Sequence, residues 1–160
     1  GAGGAARAIC SVLAYNGAKK IYIASRTMSK VQELADDINK NFAPVAEVVD
    51  MQNEEEIKAK VAESDVIMNN TGLGMPVSID KTPIPKEYLR PGQVCFDATY
   101  NPSKTRFLIE AEEVGCKIIN GLGMSLYQGA AQIELWSGKE APIEAMRQEL
   151  LDILAGKAEK

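Results

Sequence analysis

A chain of 160 residues is one ordinary domain, long enough to bury a core. Its 46% hydrophobic and 25% charged residues are average for a globular protein, its net charge of −4 disfavours nonspecific nucleic-acid binding, and no apolar run approaches the roughly 20 residues of a membrane span. It holds no histidine, which excludes a Ser-His-Asp triad, a Cys-His pair and a His-bound metal within these residues.

Three cysteines, Cys10, Cys95 and Cys116, are odd in number, far apart and without a Cys-x-x-Cys spacing. They read as reduced thiols of a cytoplasmic protein, not as a disulfide framework or a metal site. No secretory leader is visible, and a chain that opens inside a motif leaves its true N-terminus out of view.

That motif is Gly1-Ala2-Gly3-Gly4-Ala5-Ala6-Arg7. Glycines at the first two fixed positions make a tight bend and let backbone N–H groups approach a pyrophosphate. The small third residue, Ala6, lets a helix pack on its strand. A glycine pattern alone also fits an ordinary turn, so the elements that follow carry the decision. Apolar spacing over residues 5–16 predicts a helix stopped by Gly17, and Ile21 to Ala24 reads as a buried strand. Ser29 is a candidate cap for a helix to about residue 40, with Val31, Leu34, Ala35 and Ile38 on one face. Pro44 to Val49 reads as a strand, Asn53 to Glu63 as a polar helix, and Asp65 to Asn69 as a strand around Val66-Ile67-Met68. Residues 72–93, rich in Gly and Pro, read as loop. Val94 to Asp97 is a strand, 103–114 a helix ended by Gly115, and Lys117 to Asn120 a strand. Helices follow at about 124–137 and 141–155, and the terminal Ala-Glu-Lys is expected to fray.

Short strands separated by helices imply an α/β fold of Rossmann type, a doubly wound parallel sheet with helices on both faces. Its strand order is 3-2-1-4-5-6, and the five strands read here map to positions two through six. The central first strand is the missing one. The expectation is therefore a single NADP-binding domain over 1–160, with the first strand and a further domain upstream.

The expected cofactor follows from Ser25-Arg26-Thr27, with Lys30 one turn later. An NAD-binding fold places an acidic residue there for the ribose 2′-hydroxyl, whereas two hydroxyls and two cations suit a 2′-phosphate. A solvated turn is the ordinary alternative. Asn69 to Met75, with Thr71, closes the fourth strand at the switch point, where ligands bind; a plain loop exit reads the same way. Tyr100 and Gln128 offer polar contacts to a hydroxylated substrate, and Met124 a soft apolar surface for a nicotinamide ring. Taken singly, each also reads as structural.

Together the motifs are more specific. Asp97-x-x-Tyr100-x-Pro102-x-x-Thr105, Gly121-x-Gly123-Met124-x-x-x-Gln128, the glycine opening and the Ser-Arg-Thr turn keep order and spacing along nearly the whole chain, which resembles the shikimate dehydrogenases. The resemblance implies reduction of 3-dehydroshikimate to shikimate with NADPH in aromatic amino-acid biosynthesis. It implies that Gly1, Ala2, Gly3, Gly4 and Ala5 line the pyrophosphate. Ser25, Arg26, Thr27 and Lys30 would surround the adenosine phosphate, with Thr71 on the cofactor rim. Ala98, Gly121 and Met124 would border the nicotinamide, and Tyr100 and Gln128 would meet the substrate. The family's proton-transferring Lys–Asp pair and substrate-binding serines belong to an N-terminal domain, so no catalytic residue and no metal ligand is expected in this chain.

Ser25 replaces the family's usual Asn, and Ser125 stands where Leu often follows the methionine. The implied partners are shikimate or 3-dehydroshikimate and the upstream substrate domain, without nucleic acid or membrane; a homodimer is compatible. The alternatives are a quinate/shikimate dehydrogenase using NAD and a noncatalytic NADP-sensing module. Glutamyl-tRNA reductase has a related NADP turn, but the Tyr100 and Gln128 motifs do not suit it.

Overall fold

Helix α1 (Gly4–Tyr15) buries Ala6, Cys10 and Ala14, one residue in four, which makes a single stripe. That stripe packs into one cluster with Ile21 and Ile23 of β1 (Ile21–Ser25). The computed structural model that shows this describes residues 1–156. Helix α2 (Met28–Asn41) closes the same cluster with Val31, Leu34, Ala35 and Ile38, the four residues expected to share a face. On β1 the alternate residues, Tyr22 and Ala24, turn to the opposite face. There Val49 of β2 (Ala46–Asp50), Ile57 and Val61 of α3 (Glu54–Glu63), Cys95 of β4 (Val94–Asp97) and Phe107, Leu108 and Ala111 of α4 (Arg106–Val114) form a second cluster. Two apolar clusters on two faces are what a doubly wound sheet requires.

The strands pair in parallel in two groups. β1 pairs with β2, Ile21 opposite Ala46. β3 (Val66–Asn69) pairs with β4, and β4 with β5 (Lys117–Ile119), in the order β3-β4-β5. The expected order with its central strand removed gives the same two groups. Between β1 and β3 lies a cleft of 570 Å³ lined by Ile9 and Leu13 of α1, Tyr22 and Ala24 of β1, and Ile67 and Met68 of β3.

Several element ends differ from the sequence reading. The cap of α2 is Thr27 in place of Ser29, because the chain enters the helix directly from the β1 turn. β2 starts at Ala46, two residues after Pro44. The amides before it are taken up locally, Val45 N donating to the Ala43 carbonyl at 2.8 Å. Helix α4 begins at Arg106 rather than 103, since the Thr105 hydroxyl caps it, accepting from Leu108 N at 3.4 Å. Gly115, at φ 94°, ends that helix in the left-handed region. Asn53 lies outside α3 as its cap, taking Glu56 N at 3.2 Å. The loop 72–93 holds two short 3-10 turns, Pro76–Ser78 and Lys86–Tyr88.

The last two helices are α5 (Leu122–Ser137), starting two residues before its predicted start, and α6 (Ile143–Leu154). The terminal Ala-Glu-Lys lies outside the described residues. No helix of the described residues is long and apolar enough to cross a membrane.

Candidate dinucleotide and substrate site

The opening turn touches the ends of both strand groups. Gly1 N donates to the Ala24 carbonyl at 2.7 Å, beside the end of β1. A Cβ at Gly1 would lie 2.7 Å from the Asn70 carbonyl oxygen, just past the end of β3. A turn wedged between two parallel strand ends occupies the switch point of such a sheet. Gly3, the cap of α1, makes no side-chain cap bond, and the first turn of α1 carries no acidic residue. Its leading N–H groups and the positive end of the helix dipole therefore face outward. A Cβ added at Gly3 or Gly4 would meet nothing within 4 Å. These glycines serve no internal packing; they leave room for an anion to approach the backbone.

Arg7 does not add to that anion site. Its guanidinium pairs with Asp37 and, at 3.0 Å, with Glu33, clamping α1 to α2. Arg26 and Lys30 are different. Both are exposed, and neither takes part in an ion pair among the described residues. With Ser25 half-buried and Thr27 exposed, they form a basic, hydroxyl-bearing edge between β1 and α2. This donor set fits a dinucleotide carrying an extra phosphate on its adenosine ribose.

The other half of the site is built on β3, β4 and α5. Asn69 and Asp97 end neighbouring strands in register. Asp97 is fully buried; its carboxyl accepts from Asn69 Nδ2 at 2.9 Å, Thr99 N at 2.9 Å and the Thr105 hydroxyl at 2.7 Å. Asn69 Oδ1 in turn accepts from the Thr71 hydroxyl at 2.7 Å and Thr71 N at 3.1 Å. The Thr71 hydroxyl takes Leu73 N at 3.2 Å, so this hydroxyl shapes its own turn at the rim.

The Asp97–Thr105 bond closes residues 98–104 into a loop that presents Tyr100 at 36% exposure. Gly121 N donates to the Thr99 carbonyl at 3.0 Å, which fixes the start of α5 against that loop. A Cβ at Gly121 would stand 1.9 Å from the Ala98 carbonyl oxygen. Ala98, Gly121 and Tyr100 are thereby brought together. Met124 lies half-buried in the first turn of α5, and exposed Gln128 follows one turn on, its amide donating to the Ser125 carbonyl at 3.0 Å. Gly121→Ala is expected to lower the melting temperature by roughly 10 °C, because a backbone carbonyl must move to admit the methyl group. A thermal melt of the full-length variant checks it; an unchanged melt would deny the close approach.

The role of Asp97, Asn69 and Thr105 was not assigned from sequence, although Asp97 and Thr105 bracket the Tyr100 motif. The available signal was a polar residue at the end of each of two consecutive apolar strands. The cysteines are all buried and free, and burial beside Cys116 pushes the Cys95 thiol up to about 12. Burial also raises the Cys10 thiol, so Cys10 and Cys95 are held as thiols and not as nucleophiles at neutral pH.

A doubly wound parallel sheet with a glycine turn at its switch point defines a dinucleotide-binding module. Family models sharpen that class. The model described as shikimate / quinate 5-dehydrogenase matches residues 1–84, and that of the shikimate 5'-dehydrogenase C-terminal domain matches 121–151. The chain belongs to the shikimate/quinate 5-dehydrogenase family.

A shikimate dehydrogenase (NADP(+)) of Moorella thermoacetica is 41% identical over 154 residues, covering 96% of this chain and 52% of the relative. Shikimate 5-dehydrogenase of Listeria monocytogenes, solved with shikimate and NAD, matches with a TM-score of 0.85 and 38% identity over 94% of this chain and 53% of that one. Quinate dehydrogenase of Corynebacterium glutamicum, solved with NAD, has a TM-score of 0.85 and 30% identity over 95% and 53%. The chain thus spans about half the length of the relatives it matches.

Proposed function

We propose that this chain is the NADP-binding part of a cytoplasmic shikimate dehydrogenase, an oxidoreductase that interconverts 3-dehydroshikimate and shikimate. The observation that carries the reading is the pair of cations without ion-pair partners among the described residues, Arg26 directly after β1 and Lys30 in the first turn of α2, in a fold whose α1 start has no side-chain cap. In this reading the N–H groups of Gly3, Gly4 and Ala5, with Gly1 and Ala2 completing the turn, hold the pyrophosphate. Ser25, Arg26, Thr27 and Lys30 hold the 2′-phosphate. Ala98, Gly121 and Met124 border the nicotinamide and Thr71 lies on the cofactor rim, while the Tyr100 phenol and Gln128 amide hydrogen-bond the substrate. The bound dinucleotide supplies the hydride exchange. As the resemblance implies, proton transfer would fall to a Lys–Asp pair in a substrate domain preceding Gly1, which agrees with the lack of histidine in this chain.

The same reading fills the cleft between β1 and β3 with a parallel strand from those preceding residues. The buried Asn70 Oδ1, which has no hydrogen-bond partner among the described residues, supports an incoming donor there. Apolar groups on the last helices, with Leu135 81% and Trp136 77% exposed, suit cover by a further domain.

The test is the full-length protein, assayed for NADP and NAD reduction with shikimate and with quinate. The expected outcome is fastest turnover with NADP and shikimate. Dominant activity with NAD and quinate would favour the second reading, which draws on the NAD bound in two of the similar solved enzymes, whereas others hold NADP. Cofactor binding with no turnover of either substrate would overturn both. Gly3→Ala adds a check on the cofactor side. It should leave the melting temperature of the ligand-free protein unchanged, because a Cβ there meets nothing, yet raise the Kd for NADP about tenfold by crowding the pyrophosphate.

A further inference from the structure

We propose that Asp97 is a positioning residue that couples the cofactor rim to the substrate-side loop; the inference rests on the function proposed above. One carboxyl oxygen, Oδ2, is shared by two donors from different loops. Thr105 Oγ1, at 2.7 Å, closes the loop 98–104 that carries Tyr100, and Asn69 Nδ2, at 2.9 Å, belongs to the strand end that carries Thr71. The same Asn69 amide group donates to the Leu73 carbonyl at 3.0 Å, so the 71–75 turn is tied to the carboxyl through one side chain. The other oxygen, Oδ1, holds Thr99 N at 2.9 Å, and the Thr99 carbonyl holds Gly121 N at the start of α5.

Asp97, Thr105 and Asn69 are at most 1% exposed, and Asp97 has no ion-pair partner among the described residues. Removing either of the Oδ2 donors therefore leaves a buried carboxylate one hydrogen bond short. Asp97 touches neither proposed ligand; it sets Tyr100 and Thr71 together. A second tie runs alongside: Gly74 backs onto Thr105, where a glycine Cβ would lie 2.8 Å from Thr105 Cβ.

Thr105→Val separates the two ties, since valine keeps the methyl group against Gly74 and loses only the hydroxyl. In the full-length protein this variant is expected to speed amide exchange about tenfold in both 71–75 and 98–104. It should also raise the KM for shikimate and the Kd for NADP about fivefold or more, with a smaller loss in kcat. Thr105→Ser, which keeps the hydroxyl and loses the methyl group, should restore all of these. Faster exchange confined to 98–104, an unchanged KM or Kd, or equal losses in the serine variant would overturn the coupling.

If Thr105→Val does not fold, Thr105→Cys, a weaker donor of similar size, is read the same way, and failure of both to fold overturns the positioning role in favour of a purely structural one. Should the unsubstituted protein turn over neither shikimate nor quinate, the functional reading fails. Exchange in the two loops still decides the coupling.

Discussion

Arg26→Ala in the full-length protein should weaken NADP binding about ten- to a hundredfold while leaving NAD binding within about twofold. The magnitude follows from the loss of one charge-assisted hydrogen bond, worth about 1.5–3 kcal/mol. The selectivity follows from the position. Arg26 follows directly on β1 and is exposed, so its removal breaks no ion pair or side-chain hydrogen bond among the described residues. Arg7, one helix away, offers the contrast: its charge is held by Asp37 and Glu33, and its loss would loosen α1 from α2. Isothermal titration with both dinucleotides measures the difference. Equal losses for NADP and NAD would place Arg26 away from the 2′-phosphate, and no loss for either would make the turn a solvated one.

Charge reversal at the same position extends the argument. An aspartate at 26 would repel the 2′-phosphate and accept from a free ribose hydroxyl, so Arg26→Asp should move preference toward NAD beyond the alanine variant. Lys30, one turn into α2, keeps some attraction for the phosphate, which is why the reversal is expected to shift preference and not to abolish NADP binding.

The fold was legible from the sequence because its signals are local. Val31, Leu34, Ala35 and Ile38 repeat at helical spacing, and all four are buried on α2. The apolar strands are short and separated by helices, and their parallel pairing follows from that alternation. Ends were less legible where the entry of the chain sets them. Thr27 precedes α2 without a side-chain cap bond, in place of Ser29, whereas the Thr105 hydroxyl caps α4 three residues past Pro102. Of the site, Gly1, Arg26 and Tyr100 could be named from motifs, since each has a fixed neighbour in sequence. The Asn69–Asp97–Thr105 network could not. Its members are 28 and 8 residues apart, and only strand register brings Asn69 opposite Asp97.

A polypeptide of these 160 residues alone should unfold without a sharp thermal transition, and adding a strand of about five apolar residues before Gly1 should restore one. The reason lies in the cleft. β1 is paired only on its β2 side and β3 only on its β4 side, and 570 Å³ lined by Ile9, Leu13, Ile23 and Ile67 separates them. A strand placed there would sit about 4.8 Å from each neighbour and gain two hydrogen-bond ladders. Each buried apolar side chain contributes about 1.5–3 kcal/mol, so four or five of them match the entire stability of an ordinary domain, about 5–15 kcal/mol. The strand also gives Asn70 Oδ1 a donor and backs the Gly1 turn, so NADP affinity should rise together with the melting temperature. Calorimetry on the two polypeptides, with and without NADP, measures both. Equal melting temperatures would mean that the cleft closes on itself, and the proposed central strand would have to be abandoned.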